Sequence, residues 1–267
     1  MRTAILAVLA VLLVLSGAGV GCGYGFGSGP VVLGSGKLET REMDFSDFTR
    51  VEVGNAFHIE VVHSDSYAVS ITADDNLFEQ YIRVSRRGDA LKVRLALGHT
   101  YRSTTLRARV SMPDIRTMEL SGASQGSLRG FSSTQDRTFG LSGASALDVG
   151  DLAAGSVSLG LSGASAVTGE MAAAGDLELE LSGASRAKLE GSAGDLFLHA
   201  SGASGADLSG LAVENADVRM SGASHATVNP GGTLDANLSG ASGLRYVGEP
   251  GMGRINTSGG STLKKED

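Results

Sequence analysis

From Leu177 to Leu181 the chain reads Leu-Glu-Leu-Glu-Leu, apolar and charged side chains in strict alternation. A period of two puts one set of side chains on each face of an extended backbone, so this segment predicts a half-buried β-strand and not a helix. The same phase recurs at Val157, Leu159 and Leu161 before it. It recurs after it at Leu196/Leu198/Ala200, Ala216/Val218/Met220 and Leu234/Ala236/Leu238. A second alternation is set at matching offsets by Leu147 and Val149, Ala187 and Leu189, Ala206 and Leu208, and Ala226 and Val228. A one-residue slip inside either strand would turn its apolar set to water. Length variation is therefore expected in the corner after the second strand, as in Gly150-Asp151-Leu152-Ala153-Ala154-Gly155 and Asn229-Pro230-Gly231-Gly232.

The two alternations are joined by one phrase, Ser-Gly-Ala-Ser, which opens at Ser121, Ser142, Ser162, Ser182, Ser201, Ser221 and Ser239. A relaxed copy follows at Ser258-Gly259-Gly260-Ser261. Steps of 18 to 21 residues between these serines mark a stacked repeat architecture. The expected fold is all-β: a parallel β-solenoid of about seven coils with repeats of about 20 residues. The phrase is expected at a tight corner. Gly there supplies a backbone conformation closed to other residues, Ala takes little room, and Ser hydroxyls bond along a ladder of equivalents. On this reading Leu at Ala184 is expected to disturb the stack more than Leu at Glu180.

Upstream of Leu120 the pattern loosens. Arg50-Val51-Glu52-Val53-Gly54-Asn55-Ala56 echoes the strand and corner of Arg116 to Ala123, and alternating stretches follow at 57–62, 67–72, 91–95 and 106–112. These predict a β-rich N-terminal capping region with one early, degenerate coil, and residues 77–83 are expected to hold a turn of helix. A cap is needed because an open terminal coil leaves backbone groups unpaired.

The start of the chain has a different character. Arg2, an apolar run over 4–15 and the small residues 16–21 read as a secretory signal peptide, too short to span a bilayer. Cys22 is the only cysteine, so no internal disulfide forms. Gly19-Val20-Gly21-Cys22 resembles a lipobox, with Gly19 where leucine is usual, and makes Cys22 the candidate lipidation site. An ordinary signal peptide with an idle cysteine is the other reading. The alternating glycines of 23–36 read as a flexible tether, since neither a strand nor a helix flanks them as a phosphate loop would require. The expected organisation is a signal peptide over 1–21, lipid attachment and tether over 22–36, and cap over 37–119. The repeat solenoid follows over 120–263, then a charged tail over 264–267.

Charge narrows the partners. With 22 basic and 29 acidic residues the net charge is −7, and basic residues adjoin only at Arg86-Arg87 and Lys264-Lys265, so no nucleic-acid partner is expected. No tryptophan and 5% aromatic residues weaken a reading based on sugar-stacking platforms. The 39 glycines fall in register and so mark corners rather than disorder.

Gly34-Ser35-Gly36 leads to Asp47-Phe48-Thr49-Arg50-Val51-Glu52-Val53 and then Ile71-Thr72-Ala73-Asp74-Asp75-Asn76-Leu77. Val110-Ser111-Met112-Pro113-Asp114-Ile115 then precedes the repeats. In this order of motifs the chain resembles the bacterial family called putative auto-transporter adhesin, head GIN domain, over nearly all of 34–263. The resemblance implies an envelope-associated β-solenoid and adhesion. No translocator barrel follows the repeats in this sequence, so self-translocation is not expected.

Candidate chemistry is sparse. Glu178 and Glu180 lie two apart on one predicted strand and form a possible carboxylate pair, which a solvated strand face explains equally. The histidines, His58, His63, His99, His199 and His225, show no metal-ligand spacing. Calcium-binding solenoids require an acid in phase with each corner, and Ser-Gly-Ala-Ser has none. Asp74-Asp75-Asn76 reads as a weak cation site or as an ordinary turn. No catalytic residue, cofactor or metal is assigned. The expected function is a non-catalytic, exported cell-envelope module. It is held on the extracytoplasmic side of a membrane by a lipid on Cys22, and binds an envelope protein or a glycan. A glycan-active enzyme with an unrecognised carboxylate site and a self-assembling scaffold are the alternatives.

Overall fold

The computed structural model describes residues 29–266; the expected signal peptide, Cys22 and the first part of the tether lie outside the described residues. Nine strands precede the repeats: β1 (Val31–Leu33), β2 (Leu38–Met43), β3 (Arg50–Val53), β4 (His58–His63), β5 (Ala68–Asp74), β6 (Ile82–Arg87), β7 (Ala90–Leu95), β8 (Thr100–Arg102) and β9 (Leu106–Met112). Each Ser-Gly-Ala-Ser phrase then joins a strand before it to a strand after it. The first pairs are β10 (Thr117–Leu120) with β11 (Gln125–Arg129), β12 (Arg137–Leu141) with β13 (Ala146–Ala154), and β14 (Val157–Leu161) with β15 (Ala166–Ala173). Then come β16 (Leu177–Leu181) with β17 (Arg186–Ser192), β18 (Leu196–Ala200) with β19 (Gly205–Val213), and β20 (Ala216–Met220) with β21 (His225–Pro230). The last are β22 (Thr233–Leu238) with β23 (Gly243–Tyr246), and, across the relaxed phrase, β24 (Gly251–Thr257) with β25 (Thr262–Lys265).

The strands before the phrases stack in parallel into one 11-stranded sheet, and the strands after them into a 12-stranded sheet. This is the parallel β-solenoid expected from the repeats. Register follows the alternation: Leu179 pairs with Leu159 below and Leu198 above. The inward column Val51–Met118–Phe139–Leu159–Leu179–Leu198 is fully buried. Each aliphatic side chain so buried contributes about 1.5–3 kcal/mol.

The corner divides the labour of its four residues. Gly183 has φ +73°, and its equivalents Gly143, Gly163, Gly202, Gly222 and Gly240 lie within a degree of that value. A Cβ on Gly183 would sit 2.5 Å from the carbonyl oxygen of Gly163 in the coil below. That carbonyl accepts the N–H of Ala184 at 2.7 Å. The second serine is buried: Ser185 Oγ donates to the Ser182 carbonyl at 2.8 Å and approaches the Leu161 carbonyl at 3.4 Å. Two expectations are corrected here. The hydroxyls close onto carbonyls, not onto one another, and Ala184 is exposed, so the crowded position is the glycine.

The opposite turn, where one coil passes to the next, carries a ladder of short polar side chains. Asp136 Oδ1 accepts the N–H of Ser156 at 2.8 Å, Ser156 Oγ that of Asp176 at 3.2 Å, and Asp176 Oδ1 that of Asp195 at 3.0 Å. Asp195 Oδ1 accepts from Asn215 N at 3.1 Å and Asn215 Oδ1 from Thr233 N at 2.9 Å. Each side chain satisfies a backbone donor that would otherwise be left at a coil boundary. The corner expected over 150–155 is partly strand: β13 runs through a bulge between Val149 and Leu152 and pairs again to Ala154.

Among the described residues one basic side chain is buried. Arg137 occupies the inward position held by Val157, Leu177 and Leu196 in later coils, and is 1% exposed. Its guanidinium meets Asp114 Oδ1 at 3.0 Å, Ser133 Oγ at 2.8 Å and the Ile115 carbonyl. It ties the loop after β11 to the approach into β10.

The cap reverses direction along the axis. β3 and β4 form the early coil, but β7 and β9 pair in parallel outside it while β10 and β11 pair on its other side. The first coil in sequence is therefore second in space. Both sheets then end in antiparallel strands, β6 on β7, and β5 on β9 with β2 beyond. The helical turn expected over 77–83 is a 3-10 turn at Asp75–Leu77, because Ile82 onward is taken up by pairing with β7. The last residues of the expected tether are docked. β1 pairs with β8, and Gly36 N and Thr105 N both donate to the buried Asp74 carboxylate at 2.7 Å. Among the described residues no helix is long and apolar enough to cross a membrane.

Candidate functional site: a groove along the solenoid

Outward positions of the 11-stranded sheet also stack into columns. Gly140, Gly160, Glu180, His199, Arg219 and Asn237 follow one another through β12 to β22. Beside them runs the first serine of each phrase, exposed from Ser121 to Ser221 and half-buried at Ser239. The two columns bound a groove of about 620 Å³. A second hollow of about 690 Å³, lined by Glu52, Asn55, Lys92 and Glu119, continues it towards the cap and shares Gly160 and Ser162 with it. From β7 to β22 the groove crosses nine strands, about 38 Å at a spacing of about 4.8 Å.

The floor is unusual in one respect. Gly160 has no positive φ, and a Cβ built on it would meet nothing within 4 Å; one on Gly140 would meet only Glu119 Cγ at 3.6 Å. Neither backbone conformation nor packing calls for glycine there, although glycine weakens a strand interior. The effect of the missing side chains is an open floor at mid-length.

Charge divides the groove. Towards the cap, Lys92 Nζ meets Glu52 Oε2 at 2.5 Å, and Arg50 bridges Glu52 and Glu119, so opposite charges neutralise one another. Towards the other end, Glu180, His199 and Arg219 stand in three successive strands, with Arg219 held by Asp217 at 3.1 Å. Hydroxyls, a carboxylate, an imidazole and a guanidinium thus present donors and acceptors in a row at strand spacing. A shorter hollow of about 570 Å³ lies on the 12-stranded sheet, lined by Arg186, Lys188, Asp207 and His225. Asp207 is held below the usual carboxylate range by the Ser209 hydroxyl, which donates to it at 2.7 Å, outweighing its partial burial.

Of the residues singled out by sequence, Glu180 and His199 line the groove. Glu178 points outward one column away, where Ser158 Oγ donates to it at 3.4 Å. The other histidines are scattered: His58 and His225 face outward from the 12-stranded sheet, His63 meets Phe131 edge-on at 5.8 Å, and His99 meets Tyr81 edge-on at 5.1 Å. Among the described residues no group of three or more His, Cys, Asp or Glu is placed to hold a metal ion. Asp74, Asp75 and Asn76 spend their polar atoms on the docked segment. Ser35 Oγ donates to Asp75 at 2.7 Å, Lys37 pairs with Asp75 at 3.2 Å, and Asn76 Nδ2 donates to the Leu33 carbonyl at 2.8 Å. Sequence reading did not single out Gly140 or Gly160, and it took the serines of the phrase for corner packing rather than a binding surface. The signal lay in their shared offset from each phrase.

Solved structures share this fold. A crystal structure of a putative adhesin from Parabacteroides distasonis superposes with a TM-score of 0.81 at 18% identity, covering 88% of this chain and 100% of that one. A putative lipid binding protein from the same organism gives 0.76 at 16% identity, covering 89% and 100%. A putative adhesin from Parabacteroides merdae gives 0.75 at 19% identity, again covering 89% and 100%. No curated protein shows significant sequence similarity to the chain. The family model described as putative auto-transporter adhesin, head GIN domain, matches residues 47–250, well over half of the length, and the chain belongs to that family.

Proposed function

We propose that this protein is a non-catalytic binding module of the cell envelope, carried by a lipid on Cys22, that holds an extended glycan along the groove of the 11-stranded sheet. The observation that carries the reading is the pair of outward glycines, Gly140 and Gly160, which leave the floor open for no reason of backbone or packing. Polymer length suits the site: about 38 Å of groove with polar groups repeated at about 4.8 Å favours a chain lying along the axis over a compact ligand. Family membership and the adhesin descriptions of its structural relatives agree with a surface binding role.

The test is retention on immobilised envelope polysaccharides, purified peptidoglycan among them, with Gly160→Phe as the blocking variant. Wild-type protein is expected to be retained and Gly160→Phe to elute freely with an unchanged unfolding midpoint. Equal retention of the two would sink the reading. Lipidation is tested apart from it: Cys22→Ser is expected to abolish incorporation of labelled palmitate. The enzymatic alternative rests on Glu178 and Glu180, which share the outward face of β16. Product released from any of these polysaccharides, and lost in Glu180→Gln, would replace binding with catalysis.

A further inference from the structure

Charge is distributed very unevenly over this molecule. Residues 120–263 hold seven Arg or Lys against fourteen Asp or Glu, a net −7, whereas residues 81–109 hold eight Arg or Lys against the single acid Asp89, a net +7. That basic stretch is β6 to β9; β6 is the outermost strand of the 11-stranded sheet, with β7 next to it, while β9 lies inside β5 and β2 in the other sheet. Only Lys92 and Arg109 in it are paired with carboxylates, Glu52 and Glu60. Arg83 and Arg86 donate to main-chain carbonyls, of Gln80 and Ile82 and of Ser46 and Asp47. Arg87, Arg94, Arg102 and Arg107 are exposed and bridge to nothing among the described residues. Arg83 stands directly across from Arg94 in the β6–β7 register. Like charges in that position destabilise a strand pair, so the fold itself gains nothing from them.

Apolar side chains are exposed in the same place. β1 pairs with β8, so that Val31 and Leu33 share an outward face with Thr100 and Arg102 while Val32 is buried behind them. Val31 is 55% exposed, Leu33 60%, and Leu97, in the loop leading to β8, 79%. This ribbon is joined to β6 through Tyr81 and Tyr101, whose rings lie 5.8 Å apart. Eight residues separate Cys22 from Val31, a reach of at most about 30 Å. Exposed aliphatics among unpaired arginines, on the end of the molecule nearest the candidate anchor, match the interface of an anionic bilayer, which attracts guanidinium groups and accepts short apolar side chains.

We infer that the outer edge of the cap, centred on Arg83, Arg87 and Arg102 with Val31 and Leu33, docks on an anionic membrane surface. The acidic solenoid is repelled from the same surface and points away from it. The inference rests on the envelope placement proposed above but not on lipidation.

The experiment uses the chain from Gly23, which keeps every described element and lacks Cys22. Sedimentation with vesicles of phosphatidylglycerol and phosphatidylethanolamine is compared with vesicles of phosphatidylcholine alone. Binding is expected to the anionic vesicles only and to weaken as salt is raised. Arg83→Gln with Arg102→Gln is expected to lower the affinity about thirtyfold, from about 1 kcal/mol per cation at an anionic surface. Val31→Ser with Leu33→Ser is expected to lower it further. Neither change touches a residue that lines the groove, so polysaccharide retention reports separately on the groove. The inference is overturned if the chain ignores anionic vesicles, binds neutral ones equally, or keeps its affinity in the arginine variant while its unfolding midpoint is unchanged.

Discussion

Replacing Gly183 with Ala tests the corner at its most crowded atom. The residue holds φ +73°, a conformation that costs an L side chain about 1–2 kcal/mol. The new Cβ would also stand 2.5 Å from the Gly163 carbonyl oxygen, well inside contact distance, so coils must separate locally; overpacking of this kind costs about 1–3 kcal/mol. Because the same carbonyl receives the Ala184 N–H at 2.7 Å, separation also stretches a hydrogen bond. The sum predicts a loss of about 3 kcal/mol. Ala184→Leu, at an exposed neighbouring position, is expected to cost under about 0.5 kcal/mol. Guanidinium unfolding of the chain from Gly23, followed by circular dichroism, measures both, and hydrogen exchange at Ala184 reports whether the damage begins at that bond. Losses of equal size, or exchange at Ala184 no faster than in the parent, would refute the division of roles within the phrase.

Further outcomes follow from other parts of the cap and core. Arg137→Leu removes the only charge among the inward positions of β12 and leaves the Ile115 carbonyl and Ser133 hydroxyl without their donor. A loss of about 1–3 kcal/mol is expected in the same unfolding assay, and a stability gain would mean that the buried guanidinium is a net cost. Ser35 and Lys37 hold the Asp75 carboxyl below the usual carboxylate range. A lowered folded value stabilises the docked segment at pH above about 4, the unfolded range, and that contribution disappears as pH falls through the depressed value. Amide exchange at Ser35 and Gly36 is therefore expected to accelerate at the acid end of that window first in wild type and not in Asp75→Asn. Gly160→Ala, which meets nothing within 4 Å, is expected to leave the unfolding midpoint unchanged or raise it slightly, and a clear loss would give that glycine a structural role.

The repeat was legible because stacking makes one constraint visible many times. Alternation at Leu177 to Leu181 and its copies located the inward columns, and the phrase located the tight corner. What the phrase does inside that corner was less legible. Glycine and alanine are both small, and only the coil below shows that Gly183 is crowded while Ala184 is free. The opposite turn escaped notice for a related reason. Asp136, Ser156, Asp176, Asp195 and Asn215 are different residues, yet each immediately precedes the strand of its coil and plays one role through one acceptor atom. The cap could be recognised as β-rich from local alternation. Its spatial order could not, since pairing β3 between β7 and β10 depends on contacts across tens of residues that no local pattern encodes. The groove lay hidden because its defining feature is side chains that are missing.

The interleaving of the cap bears on the order in which the molecule assembles. A chain is made from its N-terminus, so β3 and β4 exist before either neighbour. Strands β7 and β9 then cover one side, and only when Arg129 has been added is the other side covered by β10 and β11. From that point each new stretch of about 20 residues finds a finished edge waiting and can join it at once. The slow, non-local step is thus confined to the first half of the chain, and the remainder grows as a ribbon does, one turn at a time in one direction. New strand edges form on only one front during this growth, the ends at β6 and β2 being set once the cap closes, which limits the time in which two nascent chains can zip together.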